Sequence, residues 1–157
     1  MAERPNRSTA AQNADRMRMG WIVLATGPNV VQQTGELNCG PACAEMLLAD
    51  RGVTVSQAAI AKGLRLPTNG THLAESMNRA FPGLRWTGGS IDEAATFEVV
   101  GSIGSRGTWA ALLEPGGPHH IGHWVVVDGV DWGTRVVNVR DPIGSAYAVP
   151  AEVFTAL

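Results

Sequence analysis

The chain is short of the features that usually announce a partner. Of its 12 basic side chains only Lys62 is a lysine, none of them form a run, and with 14 acidic residues the formal charge is −2. That balance gives no electrostatic footprint for a nucleic-acid backbone or an anionic membrane surface, so neither is expected as a partner. No stretch has the length of a membrane span, and residues 1–19 lack the apolar core of a secretory signal. The expectation is a soluble protein, cytoplasmic or exported without a classical signal peptide. No internal repeat is visible. There are only two cysteines, Cys39 and Cys43, four positions apart. A chain of 157 residues and 16.5 kDa buries an adequate core without staples, so this pair reads as chemistry or core rather than as a disulfide. The shortage of lysine fits genome composition, and fits equally selection against surface lysines in a protein that enters another cell.

What is present divides by hydrophobic period. Residues 1–19 are polar and without a helical stripe, and read as a flexible leader or linker; one domain is expected over 20–157. Trp21 to Ala25 reads as a strand ending at Thr26-Gly27-Pro28. From Cys39, the residues Ala42, Cys43, Met46 and Leu47 recur at helical spacing until Gly52, which predicts an amphipathic helix with Pro41 tolerated in its first turn. Ser56 predicts a capped helix to Leu64, and Thr71 another over His72 to Ala80. Leu84 to Thr87 reads as a short strand, and Ser90-Ile91-Asp92-Glu93 as a capping box opening a helix to about Val100. Strands follow at Thr108–Leu113, Gly122–Asp128 and Thr134–Val139, with Tyr147–Val149 as a candidate fourth. Asp131-Trp132-Gly133 supplies a turn, and Pro150 opens a last helix containing Phe154. Helices followed by antiparallel strands predict an α+β fold.

A thiol at a helix start faces unpaired first-turn N–H groups and the positive end of the helix dipole, which favour thiolate over thiol. Cys39 holds that position. A nucleophile also needs a base and a group that orients the base. His123 opens the run His123-Trp-Val-Val-Val, and Asp141 closes Val137-Asn-Val-Arg-Asp. If these strands pair as a hairpin around Asp131, their outer ends meet and Asp141 can hold one imidazole nitrogen while the other faces the thiol. Asp128 and Asp131 compete for that role but fall at the far end of the hairpin. A side-chain amide before the helix, together with the Cys39 N–H, would serve a tetrahedral oxyanion. Gln33, six positions before Cys39, is favoured over its neighbour Gln32.

Gln33-Thr-Gly-Glu-Leu-Asn-Cys39-Gly40-Pro41-Ala42, then His123-Trp-Val-Val-Val and Val139-Arg-Asp141-Pro142, together resemble the papain-like cysteine peptidases. The likeness is greatest to the peptidase domain of bacteriocin-exporting transporters, which cuts leader peptides after paired glycines, and to its stand-alone relatives. It spans about Val30 to Phe154. The resemblance implies a papain-like fold, with N-terminal helices carrying the nucleophile packed on a C-terminal antiparallel sheet. It implies Cys39 as nucleophile, His123 as base, Asp141 as its orienting carboxylate and Gln33 as oxyanion donor, with no cofactor and a protein or peptide substrate. Some bacterial domains of this kind are toxins or injected effectors, for which a cognate inhibitor or immunity protein is expected.

Other readings compete residue by residue. Cys43, one turn beyond Cys39, reads as a core residue. His119 and His120 lie in a Gly/Pro-rich loop and would need cysteine partners to make a zinc site, which the spacing does not offer. Cys-Gly-Pro-Ala-Cys has one residue too many for a thioredoxin-type pair. His72 reads as a surface residue. The same thiol, imidazole and carboxylate serve glutamine deamidases and transglutaminases, and a catalytically dead peptide-binding domain is the reading from outside enzymology.

Overall fold

The computed structural model describes residues 22–25, 29–91, 95–114 and 122–157. Residues 1–19, Trp21, His119 and His120 lie outside them. In chain order the elements are β1 (Ile22–Ala25), α1 (Cys39–Ala49), α2 (Gln57–Ala61), α3 (Gly70–Ala80), α4 (Phe97–Gly104), β2 (Trp109–Leu113), β3 (His123–Asp131), β4 (Val136–Asp141), β5 (Ser145–Pro150) and α5 (Ala151–Phe154). The five strands form one antiparallel sheet in the order β1-β5-β4-β3-β2. Helices precede most of the sheet, which is the expected α+β arrangement.

The uninterrupted Trp124-Val125-Val126-Val127 run is explained by burial on both sheet faces. Successive side chains of a strand point to opposite faces. Val125 and Val127 pack with Val137, Val139, Tyr147 and Val149 under α4 and α5. Trp124 and Val126 face Cys43, Met46, Leu47 and Leu73 on the α1–α3 side. A strand covered on both faces shows no polar alternation, because neither face meets water. For the same reason α1 is not amphipathic as its spacing suggested: within it, only Glu45 and Ala49 escape burial. It is a central helix, apolar nearly all round.

The β3–β4 hairpin forms in the register that the site requires, with Val126 opposite Arg140 and Val127 opposite Val139. Asp131 Oδ1 closes its turn by accepting from the N–H groups of Gly133 and Thr134 at 2.9 and 3.0 Å. Four local expectations are corrected. Leu84–Thr87 is not a strand: Asn78 Oδ1 accepts from the Trp86 N–H and Asn78 Nδ2 donates to the Trp86 carbonyl, both at 2.9 Å, replacing the ladder bonds of a neighbouring strand. The helix expected from Ser90 begins at Phe97, capped by Thr96, and continues to Gly104; Asp92 and Glu93 lie outside the described residues. Asn69, not Thr71, caps α3, its Oδ1 accepting from the His72 N–H. The helix capped by Ser56 stops at Ala61 rather than Leu64, because Gly63 turns the chain at φ +77°.

Candidate active site

The nucleophile helix starts without a conventional cap. Asn38 occupies the cap position but makes no capping bond, and its Nδ2 donates instead to Thr34 Oγ1 at 2.9 Å. The first-turn amides are thus left without a side-chain cap, and among them the Gly40 N–H helps lower the Cys39 thiol. Close packing fixes this end. A Cβ at Gly40 would come within 2.9 Å of Thr68 Cγ2 and 3.2 Å of the Trp124 ring, so only glycine lets the helix start approach β3. Trp124 Nε1 donates to the Thr68 carbonyl at 3.2 Å and holds the loop before α3 against the same point.

His123 and Asp141 meet as the hairpin geometry predicts. The imidazole Nε2 lies 2.8 Å from Asp141 Oδ1, which also accepts from the Ile143 N–H at 2.9 Å. Asp141 is fully buried. With Nε2 engaged there, Nδ1 is the nitrogen left for the thiol. Burial pushes the Cys39 thiol up, but the hydrogen bond and charge of His123, with the N–H groups of Trp124 and Gly40, outweigh it and the pKa falls below the ordinary value. Burial likewise works against the charged imidazole. The charge and hydrogen bond of Asp141, with a smaller contribution from Cys39, raise His123 to about 9. Together these shifts favour a thiolate–imidazolium pair.

The competing residues fall elsewhere. Cys43 is fully buried and free, and burial, together with the charges of Cys39 and Asp141, holds its thiol well above the usual range. Asp128 is paired with Arg140, and Asp131 is spent on its turn. His72 is exposed, as expected. Among the described residues no group of three or more His, Cys, Asp or Glu is placed to hold a metal.

Gln33 sits in a loop that the structure anchors firmly. Its N–H donates to the Pro142 carbonyl at 2.6 Å, next to Asp141. The buried Gln57 of α2 accepts from Thr34 N–H and donates to the Gln32 carbonyl, at 3.0 and 2.8 Å. The Gln33 amide itself turns into its own loop, Nε2 donating to the Gly35 and Glu36 carbonyls at 2.7 and 3.3 Å, while Oε1 is buried without a partner. The structure therefore joins Cys39, His123 and Asp141, and places Gln33 beside Asp141 with its donors occupied.

Sequence reasoning missed the residues around this core. Cys39 opens on a cleft of about 220 Å³ whose walls include Leu37, Pro67, Leu112 and Trp124. These come from four separate segments, and only the His123-Trp124 dipeptide carried any signal. It also missed Arg140. The guanidinium, 7% exposed, bonds both Asp128 oxygens through Nε at 2.9 and 3.0 Å, both Asp50 oxygens, and the Asn29 carbonyl. Asp50 ends α1, so Arg140 fastens the far end of the nucleophile helix to the strand that carries Asp141.

A helical layer bearing a cysteine at a helix start, packed on an antiparallel sheet bearing histidine and aspartate, is the fold of the C39-like, papain-like peptidases. A solved structure described as a C39-like peptidase from Bacillus anthracis superposes with a TM-score of 0.58 over 87% of this chain and 90% of that one, at 15% identity. In sequence, the chain is 35% identical over 127 residues to "Cysteine protease effector 1" of Escherichia coli O1:K1:H7. That match takes in 80% of this chain but only 24% of the relative, so the chain corresponds to about a quarter of that protein. No protein-family model matches the chain. Among the described residues no helix is long and apolar enough to cross a membrane.

Proposed function

We propose that the chain is a cysteine peptidase that acts on peptide bonds of a protein substrate as a bacterial effector, through Cys39, His123 and Asp141. The observation that carries this is the line from Cys39 at the start of α1 through the half-buried His123 to the buried Asp141, with the thiol lowered and the imidazole raised. The name of the curated relative supports the effector role. We assign the activity to a domain spanning 20–157, with 1–19 as its linker.

In this mechanism the Cys39 thiolate attacks the scissile carbonyl carbon, and the carbonyl electron pair moves onto oxygen. The Cys39 N–H and the Gln33 amide stabilise that oxyanion; Gln33 Nε2 exchanges its bonds to Gly35 and Glu36 for the developing charge. The imidazolium of His123 protonates the leaving amine, which leaves a thioester. His123, now neutral, takes a proton from water as water attacks, and the thiolate is released. Asp141 holds the ring in one orientation throughout. If the effector acts on other cells, its producer needs an inhibitor that covers this cleft.

The test is intact-mass analysis of candidate protein substrates incubated with the wild-type protein and with Cys39→Ala. Cysteine-dependent backbone cleavage supports the proposal. A gain of about one mass unit indicates deamidation, an amine-sized gain indicates transamidation, and capture without any change indicates a binding domain. Labelling with a thiol electrophile at neutral pH, followed by peptide mapping, should modify Cys39 well ahead of Cys43. Equal labelling would count against the nucleophile.

A further inference from the structure

The cleft that Cys39 opens on is nearly without charge. Leu37, Pro67, Leu112 and Trp124 give it apolar walls, and Thr68 and Asn69 contribute uncharged polar groups. Besides the Cys39 thiol itself, Glu114 is the one acidic or basic side chain among the described residues that line it. It stands one residue beyond Leu113, whose register partner in β3 is the catalytic His123. Its backbone is pinned, the N–H donating to the Leu157 carbonyl at 2.9 Å. The side chain is exposed, and no basic residue among the described ones pairs with it. Elsewhere the molecule does pair its well-placed carboxylates: Asp50 and Asp128 share Arg140, and Glu152 meets Arg135.

We propose that Glu114 selects substrates bearing a lysine or arginine close to the scissile bond, its carboxylate being the counter-ion that the substrate completes. This rests on the peptidase reading given above. Among the described residues no cation balances this carboxylate beside the apolar walls, and the aliphatic stem of a lysine or arginine suits those walls while its head reaches the rim. Because the site is open to solvent, the preference is modest: about two- to five-fold in kcat/KM over an uncharged residue. It weakens as salt is added. Charge reversal at Glu114 should turn the preference toward acidic residues, because like charges at the same point repel.

The experiment digests a proteome-derived peptide library, generated with chymotrypsin so that Lys, Arg, Asp and Glu all remain internal, with wild-type protein and with Glu114→Gln, Glu114→Lys and Cys39→Ala. Cleavage sites are read by mass spectrometry. The expected result is enrichment of Lys and Arg at one position beside the Cys39-dependent cuts, lost in Glu114→Gln and replaced by Asp and Glu in Glu114→Lys. Cleavage with the same residue profile in all three Cys39-containing proteins overturns the role of Glu114 and leaves the peptidase standing. No Cys39-dependent cleavage in any of them overturns both.

Discussion

The two ends of α1 solve the problem of placing charge in a buried helix in opposite ways. At its C-terminal end, Asp50 and Asp128 close on Arg140 with hydrogen bonds to every guanidinium nitrogen. At its N-terminal end Cys39 has no capping partner, and an imidazole is raised to about 9 beside it. Adjacent residues of β4 serve the two ends, Arg140 through Asp50 and Asp141 through His123. One end is satisfied and so can only hold; the other keeps a charge that a substrate can use. The difference separates rigidity from reactivity within 11 residues of one helix.

That separation can be broken at either end. The largest effect is expected for Asp141→Asn, which keeps the shape but removes the charge that raises His123. Turnover should fall by about 1000-fold or more, as when a triad loses its orienting carboxylate. The alkaline limit of activity should move below the wild-type value of about 9, with the urea midpoint changed far less than turnover. Should the domain unfold instead, and should Asp131→Ala abolish activity, the assignment of Asp141 is wrong. At the other end Arg140→Met is expected to cost stability first. Breaking a buried ion pair costs about 3–5 kcal/mol, and with Asp50 and Asp128 partly open to solvent we expect about 2–3 kcal/mol. Chemical denaturation measures that loss. If kcat falls as far as it does in Asp141→Asn while stability holds, the two ends are not separable.

The hairpin that makes the site was legible because it depends on period and turn chemistry alone. His123-Trp-Val-Val-Val and Val137-Asn-Val-Arg-Asp flank the Asp131 turn, and an antiparallel pair of that length brings its outer ends together. Cys39 was legible from the helix start. Position in space was less so. Gln33 has the expected spacing, but its amide is turned into its own loop by the Gly35 and Glu36 carbonyls, which no spacing encodes. The Arg140 clamp joins residues 90 and 12 positions from it in the chain and left no pattern to read. The capping errors share one cause. Thr71 and Ser90 are as suitable chemically as Asn69 and Thr96, and only the path of the chain decides which oxygen reaches the free N–H.

The smallest effect we predict is the sharpest test of the N-terminal end. A raised histidine contributes stability that is complete below pH 6.5 and is lost as pH rises through the folded value of about 9. A lowered cysteine behaves oppositely: its contribution is complete above 9.0, the ordinary thiol value, and is lost as pH falls through its folded value. Consider the interval from 6.5, or from the Cys39 pKa if that is higher, up to 9.0. There the native pair holds one proton, on the imidazole, and the unfolded pair also holds one, on the thiol. Equal proton counts mean that this pair contributes no slope of stability with pH. Replacing Cys39 by serine removes the thiol's share but leaves Asp141, the larger cause of the raised histidine. The urea midpoint of Cys39→Ser should therefore fall as pH rises through that interval toward 9.0, relative to a wild-type midpoint that stays level there. Parallel curves for the two proteins would mean that Cys39 and His123 do not share a proton, and the N-terminal end of α1 would lose its distinction from the other.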